Sequence, residues 1–405
     1  MRVIGLMSGT AVDGIDAALT KVVGEGYDVT VELIQGITHP YSEAVRSRIL
    51  ALCDHAPITL AELAELDDAI AHHFIQAIAA LDTDLTTVDL IGSHGQTLYH
   101  RPPQPDPLGQ GLGQRLGQRL GQRLGHTLQL GRGDLIAHHT GCPTVSNFRA
   151  ADIALGGQGA PLVPIVDACL LSQPDHDLAV QNIGGIGNVT YLPPRPQHHP
   201  KTHLGMPNLA LPTGIKGWDT GPGNALIDWA VTRLSNGQKT YDNNGDWAAQ
   251  GTPSQPLIDS WLQAPFFQAA PPKSTGRELF SVGYGEACWA DAQAKGLSDE
   301  DFLATLTDFT AATIELSYRQ FLPQIPAETL VGGGGSRNAY LMARLQHRLP
   351  TSQVSSTNAR QLDADYKEAI AFAILAYWRW QNTPANLPSV TGASRPCLLG
   401  EIWNP

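Results

Sequence analysis

The chain has 405 residues, 42% hydrophobic and 16% charged, with 41 Gly, 29 Pro and a formal net charge of −12. That length favours two domains over one ordinary core, and the composition excludes a disordered or fibrous chain. The acidic balance excludes a non-specific nucleic-acid or acidic-membrane binder, which needs basic surface to displace counterions; a phosphate ligand would be neutralised locally, by backbone N–H groups, helix N-termini and Mg²⁺.

In chain order, RVIGLMSG, TAVDG and IDAALTKVV read as strand, glycine turn and strand, and TVELIQGI adds a third β-rich run. Helical apolar spacing follows in SEAVRSRILALC and TLAELAELDDAIAHHFIQAIAAL, with Ser42 and Thr59 as N-caps. VDLIGSHGQT is the next strand. LAVQNIGGIGNVTYLP repeats the opening signal, two apolar strands around glycines, so the chain restarts its own architecture. A further helix, the strand-to-glycine segment TLVGGGGSRN, the helix AYLMARLQHRL and the last helix DADYKEAIAFAILAYWRW complete the chain. The expected fold is α/β: two similar lobes of mixed β-sheet with flanking helices, residues 1–176 and 177–364, around a cleft, with the C-terminal segment 365–405 completing the first lobe.

Two stretches read as loop insertions. The Leu-Gly-Gln-Arg repeat from Leu108 to Gly125 has a glycine at every fourth residue, too many for a helix. The Pro- and His-rich stretch from Pro193 to Pro212 is the other, with His198 and His199 as polar surface. Cys53, Cys142, Cys169, Cys288 and Cys397 are odd in number and far apart, which predicts reduced thiols in a cytoplasm. MRVIGLMSGT lacks the features of a secretory signal, and the longest apolar run, Ala369 to Trp378, reads as a buried helix rather than a membrane span.

Three glycine turns, each just after an apolar strand, suit the phosphate ends and the adenosine of ATP. The first places Gly9, Thr10 and Gly14 beside Asp13 and Asp16, either of which could position Mg²⁺ through water. Alone, it reads equally as an ordinary glycine hairpin. The second spans Asn182 to Asn188 and the third Gly332 to Gly335. None is a Walker A loop, which needs a following Lys and Ser or Thr. In GWDTGPGNALIDW, Asp219 stands after a strand and before glycines, with Asp228 a helical step beyond. It is the candidate base, against the plainer reading of an Asx-turn or N-cap.

SHGQT clusters small donors and His94 at a strand end, where ligands of α/β sheets sit, although His94 also reads as a structural residue. Arg149 offers a fork of donors for a substrate carboxylate, or a salt bridge to Asp152. Glu368 reads as a sugar-hydroxyl contact or as a local cap. PPKSTGRELF, with Lys273, Ser274, Thr275, Gly276 and Arg277, reads as an anion-binding turn or a structural cap.

The order of GLMSGTAVDGID, SHGQTLYHRP, TLQLG, FRAADIALGGQGAPLVP, NIGGIGNVTYLP, WDTGPGNALIDW, PPKSTGREL, VGGGGSRNAYLM, EAIAFAILA and NLPSVTGAS resembles the anhydro-N-acetylmuramic acid kinase family of the sugar kinase, Hsp70 and actin superfamily. The resemblance runs from Gly5 nearly to the C-terminus. It implies two ribonuclease-H-like lobes and an ATP- and Mg²⁺-dependent kinase of an anhydro amino sugar in cell-wall recycling, with no nucleic acid or membrane partner and a homodimer left open.

By the resemblance, Gly9, Thr10, Ala11, Val12, Asp13, Gly14, Ile15 and Asp16 form the principal ATP loop. Gly184, Gly185, Gly333, Gly334 and Asn338 complete the nucleotide contacts, Asp219 is the catalytic base, and Thr97, Arg149 and Glu368 contact the sugar. The chain departs from the pattern at Met7, where superfamily kinases carry an Asp, so the Mg²⁺ ligands stay unassigned. It departs also at its two insertions and at Arg132, which puts any role of Asp134 in doubt.

Overall fold

A computed structural model describes residues 1–9, 12, 14–54, 56–105, 122–123, 125–195, 213–275 and 279–405. The Leu-Gly-Gln-Arg repeat, most of the Pro193 to Pro212 stretch, and Thr10, Ala11, Asp13, Gly276 and Arg277 therefore fall wholly or largely outside the described residues. The described chain forms two compact units, one from Met1–Leu170 with Tyr366–Pro405, the other from Leu171–Gln197 with Thr213–Asp365.

In the first unit the opening apolar runs become the meander β1 (Arg2–Ser8), β2 (Ile15–Glu25) and β3 (Asp28–His39), all antiparallel. β4 (Leu90–Arg101) lies parallel to β1, and β8 (Thr144–Ser146) parallel to β4. Between them in sequence, β5 (Gln104–Pro105) pairs with β6 (Gln122–Arg123), and β7 (His126–Leu130) runs antiparallel to β4.

Side chains alternate across β1, so its two faces carry different layers. Ile4 and Leu6 join Ile70, Phe74 and Ile78 of the helix Leu60–Ala80 in one core. On the other face the helix Lys367–Trp380 crosses glycines of β1 and β4. A Cβ on Gly5 would meet the Ala369 carbonyl, and one on Gly92 would lie 2.4 Å from the Phe372 carbonyl. Residues Ala369 to Trp378 are buried, as expected of that apolar run. The helix begins at Lys367, four residues later than its sequence pattern predicts. Ser42 accepts from the Val45 N–H, and Thr59 forms a capping box with Glu62, so both predicted caps are present.

In the second unit, β9 (Leu178–Ile183), β10 (Gly187–Leu192) and β11 (Lys216–Gly221) form an antiparallel meander. β12 (Glu328–Gly332) runs parallel to β9 and β13 (Gln353–Ser356) parallel to β12. The order β11-β10-β9-β12-β13 reproduces β3-β2-β1-β4-β8 of the first sheet, with the same parallel and antiparallel pairings. To the first sheet β14 (Glu401–Trp403) adds an antiparallel edge beside β8. Each unit is thus a ribonuclease-H-like mixed sheet, and the duplication is one of strand order. The helix Asp299–Phe321, capped by Ser298, packs Ile314 and Tyr318 against Val189, Trp218 and Val331 of the second sheet.

Candidate active site

In the second unit, Asp219 lies within β11 rather than after it, on the edge strand of its sheet. Alternation along the strand buries Trp218 against the long helix, where its indole N–H donates to Ser317 Oγ at 2.6 Å, and turns half-buried Asp219 to the opposite face. The outward edge of β11 is taken by the segment that carries PPKST. The Asp219 N–H donates to the Lys273 carbonyl at 3.1 Å, and the Thr275 N–H donates to Asp219 Oδ2 at 2.8 Å. This pins the carboxylate from a segment more than fifty residues away in sequence.

The Lys273 ammonium is buried among Phe266 and Phe321, 4.8 Å from each ring, and donates to the Phe266 carbonyl at 3.1 Å. Burial pushes its pKa down to about 8, and the Asp219 charge opposes that fall. Sequence reasoning weighs Lys273 only as part of an anion-binding turn or a structural cap. No local pattern reports a lysine aimed into aromatic rings.

The second glycine turn, 184–186, joins β9 to β10. Its carbonyls receive the N–H groups that open the helix Ala225–Leu234: Asn224 N–H to Gly184 O at 2.8 Å and Ala225 N–H to Gly185 O at 3.1 Å. Gly223 makes this docking sterically feasible, since at its φ of +52° any Cβ would lie 2.4 Å from the Gly184 carbonyl. Asp228 lies in the first turn of that helix. The third turn follows β12, with Gly333 at φ +77° donating its N–H to the Ala364 carbonyl at 2.9 Å, and exposed Gly334 after it. Asn338 uses Oδ1 to cap the helix Ala339–Arg348 through the Leu341 N–H at 2.9 Å.

In the first unit, the turn after β1 is braced from inside. Ser8 Oγ is 2.7 Å from Gln96 Oε1 and 2.9 Å from the Gly14 carbonyl. Val12 has φ +54°, a strained value for a β-branched residue. Its side chain is in the core, its N–H donates to Gly9 O, and its carbonyl accepts from Arg46. Ile15 is also core, while half-buried Asp16 accepts from Thr38 Oγ1 at 2.6 Å. Three of the predicted glycines, Gly9, Gly184 and Gly334, have no left-handed φ and room for a Cβ among the described residues. Neither backbone conformation nor internal packing demands glycine there.

SHGQT runs inside β4 rather than ending it, because Gly95, at φ +75°, bends the strand without stopping it. Gln96 is fully buried, with Oε1 receiving Ser8 and Nε2 donating to the carbonyls of Gly9 at 3.4 Å and Thr97 at 3.2 Å. It is a site-bracing residue that sequence reasoning did not single out. Replacing Nε2 by oxygen in Gln96→Glu sets a buried carboxylate against two carbonyls. The expected cost is about 3 kcal/mol, read as a lowered Tm together with a raised KM for ATP; an unchanged Tm refutes the bracing role.

Thr97 is half-buried and accepts from Gln129 Nε2 at 3.1 Å. Arg149 is brought to His94, donating from Nε to His94 Nε2 at 3.0 Å and from Nη1 to the Gly159 carbonyl at 2.8 Å. Asp152 accepts from the Gly159 N–H, Asn386 and Thr391. Glu368 opens the helix Lys367–Trp380, and burial raises its pKa against the lowering pull of Lys367 and Arg149. Lys367 itself pairs with buried Asp167 at 2.8 Å. Asp134 is held by Arg132 in an exposed pair at 2.7 Å. Among the described residues no cluster of three or more His, Cys, Asp or Glu forms a metal site, and no helix is long and apolar enough to cross a membrane.

The family model described as anhydro-N-acetylmuramic acid kinase matches residues 1–405. Relatives that carry this name include a protein of Crocosphaera subtropica, 54% identical over 100% of this chain and 99% of its own length. Another, from Acaryochloris marina, is 56% identical over 99% of both chains, and one from Rippkaea orientalis is 55% identical over the whole of both. The chain belongs to the anhydro-N-acetylmuramic acid kinase family and is a phosphotransferase.

Proposed function

We propose that the protein uses ATP and water to open 1,6-anhydro-N-acetylmuramic acid and phosphorylate it, giving N-acetylmuramic acid 6-phosphate and ADP. The observation that carries this reading is Asp219, a half-buried carboxylate fixed by the Thr275 N–H at the edge of β11. Asp219 takes a proton from the water that attacks the anomeric carbon. The bond from that carbon to O6 breaks, and O6 takes the γ-phosphoryl group instead of a proton. An inverting glycosidase needs one acid and one base; here the phosphoryl group replaces the acid, so a single carboxylate suffices.

The three glycine turns bind the nucleotide in this reading. Gly9, Gly184 and Gly334 are glycines that the fold itself does not require, as expected where a ligand approaches the main chain. Thr10, Ala11, Val12, Asp13, Gly14, Ile15, Gly185, Gly333 and Asn338 belong to the same turns. Asp16, whose carboxylate accepts from Thr38 at the end of the first glycine turn, is the described acidic side chain that would support Mg²⁺ through water. The ion would supply positive charge against the transferring phosphoryl group. Thr97, Arg149 and Glu368 bind the sugar. Residues 1–176 with 365–405, and 177–364, are the corresponding functional lobes, and the reaction serves reuse of cell-wall fragments in the cytoplasm.

A kinase of the same fold acting on an ordinary sugar hydroxyl would use Asp219 to remove the hydroxyl proton. Reaction in ¹⁸O-labelled water with Mg-ATP separates the two: the ring-opening reading expects one label at the anomeric carbon of the product and phosphate on O6. A phosphorylated product with the anhydro bond intact rejects it. An ATP-driven binding module would leave the sugar unchanged altogether.

A further inference from the structure

We infer that His94 is a positioning residue for Arg149, holding the guanidinium in the plane in which it receives the carboxylate of the sugar. The inference rests on the reading of Arg149 as a sugar contact. Its basis is the identity of the two anchors. Arg149 Nε donates to His94 Nε2 at 3.0 Å, and Nη1 donates to the Gly159 carbonyl at 2.8 Å. Two bonds on adjacent edges fix both the direction and the roll of a planar group.

An Nε–H can donate to Nε2 only if that nitrogen carries a lone pair. The other ring nitrogen, Nδ1, lies 2.8 Å from the Gly95 carbonyl, an acceptor, so it bears the hydrogen. His94 is therefore neutral, in one defined tautomer. Its surroundings enforce this: the ring is 3% exposed, packed 4.6 Å from Phe372, and burial with the nearby Arg149 charge holds its pKa well below the usual imidazole range.

The two anchors thus orient Arg149 through neutral acceptors, and its charge also acts on the buried Glu368 carboxyl that opens the helix Lys367–Trp380. The bend at Gly95 is what makes the arrangement possible, since the carbonyl that fixes the tautomer belongs to the residue with φ +75°.

Steady-state kinetics on His94→Asn, His94→Gln and Arg149→Met test the assignment. Asn keeps a donor near the Nδ1 position and removes the acceptor facing Arg149, whereas Gln returns an acceptor near Nε2. Loss of a bond to a charged group predicts that His94→Asn raises the KM for the anhydro sugar ~10- to 100-fold, with KM for ATP unchanged and His94→Gln recovering most of the loss. A merely structural histidine would instead lower Tm and shift both KM values together in His94→Asn, which overturns the inference. So does an unmoved sugar KM in His94→Asn while Arg149→Met raises it. If Arg149→Met itself leaves the sugar KM unchanged, the reading of Arg149 fails, and the inference with it.

Discussion

Asp219→Asn is expected to lower kcat by about 10²- to 10⁴-fold, the usual contribution of a general base, while both KM values and Tm stay close to those of the parent. The reasoning separates what the side chain holds from what it does. Asn retains an oxygen that can accept the Thr275 N–H, now 2.8 Å from Oδ2, and the strand-edge bond from the Asp219 N–H to Lys273 O belongs to the backbone. Trp218, on the other face, keeps its contact with Ser317. What disappears is the capacity to take a proton from water. Turnover within threefold of the parent, measured with saturating Mg-ATP and sugar, would remove Asp219 from the mechanism. A collapse of Tm would show instead that its role is to hold β11 against residues 273–275.

The meander of each lobe, the caps at Ser42 and Thr59 and the buried last helix were legible because each depends on neighbours within a few residues: alternation, a cap three residues from the N–H it accepts, an unbroken apolar run. Strand limits near the site were less so. SHGQT reads as a strand end, yet β4 continues to Arg101 because β7 pairs with it beyond the bend. Asp219 reads as post-strand because the segment that completes its edge, 273–275, is remote in sequence. Tertiary partners decide strand membership there, and local propensity does not see them. The same distance hides the function of His94. Its partner Arg149 is 55 residues away, and the partner that the sequence offers Arg149 is the nearby Asp152.

The largest effect on stability is expected from Gly5→Ala. The position has no unusual φ; its constraint is external. An added Cβ would overlap the Ala369 carbonyl and come within 2.8 Å of the Ala373 nitrogen, both main-chain atoms of the helix Lys367–Trp380. Backbone cannot swing aside as a side-chain tip can, so the helix must lift from β1. Overpacking of this kind costs about 3 kcal/mol or more, which for a unit of this size lowers the Tm of its transition by roughly 6–12 °C. Glu368 immediately precedes Ala369, so the same displacement should raise the KM for the sugar. Gly9→Ala supplies the contrast. Apart from its own chain neighbours, no described residue has an atom within 4 Å of its added methyl group, so Tm should stay put while the KM for ATP rises, provided the nucleotide approaches that main chain. A thermal scan and one pair of substrate titrations on each variant check both. If Gly5→Ala melts with the parent, the close seating of the last helix on β1 is wrong. If Gly9→Ala binds ATP as the parent does, the first glycine turn is a hairpin and the phosphates lie elsewhere.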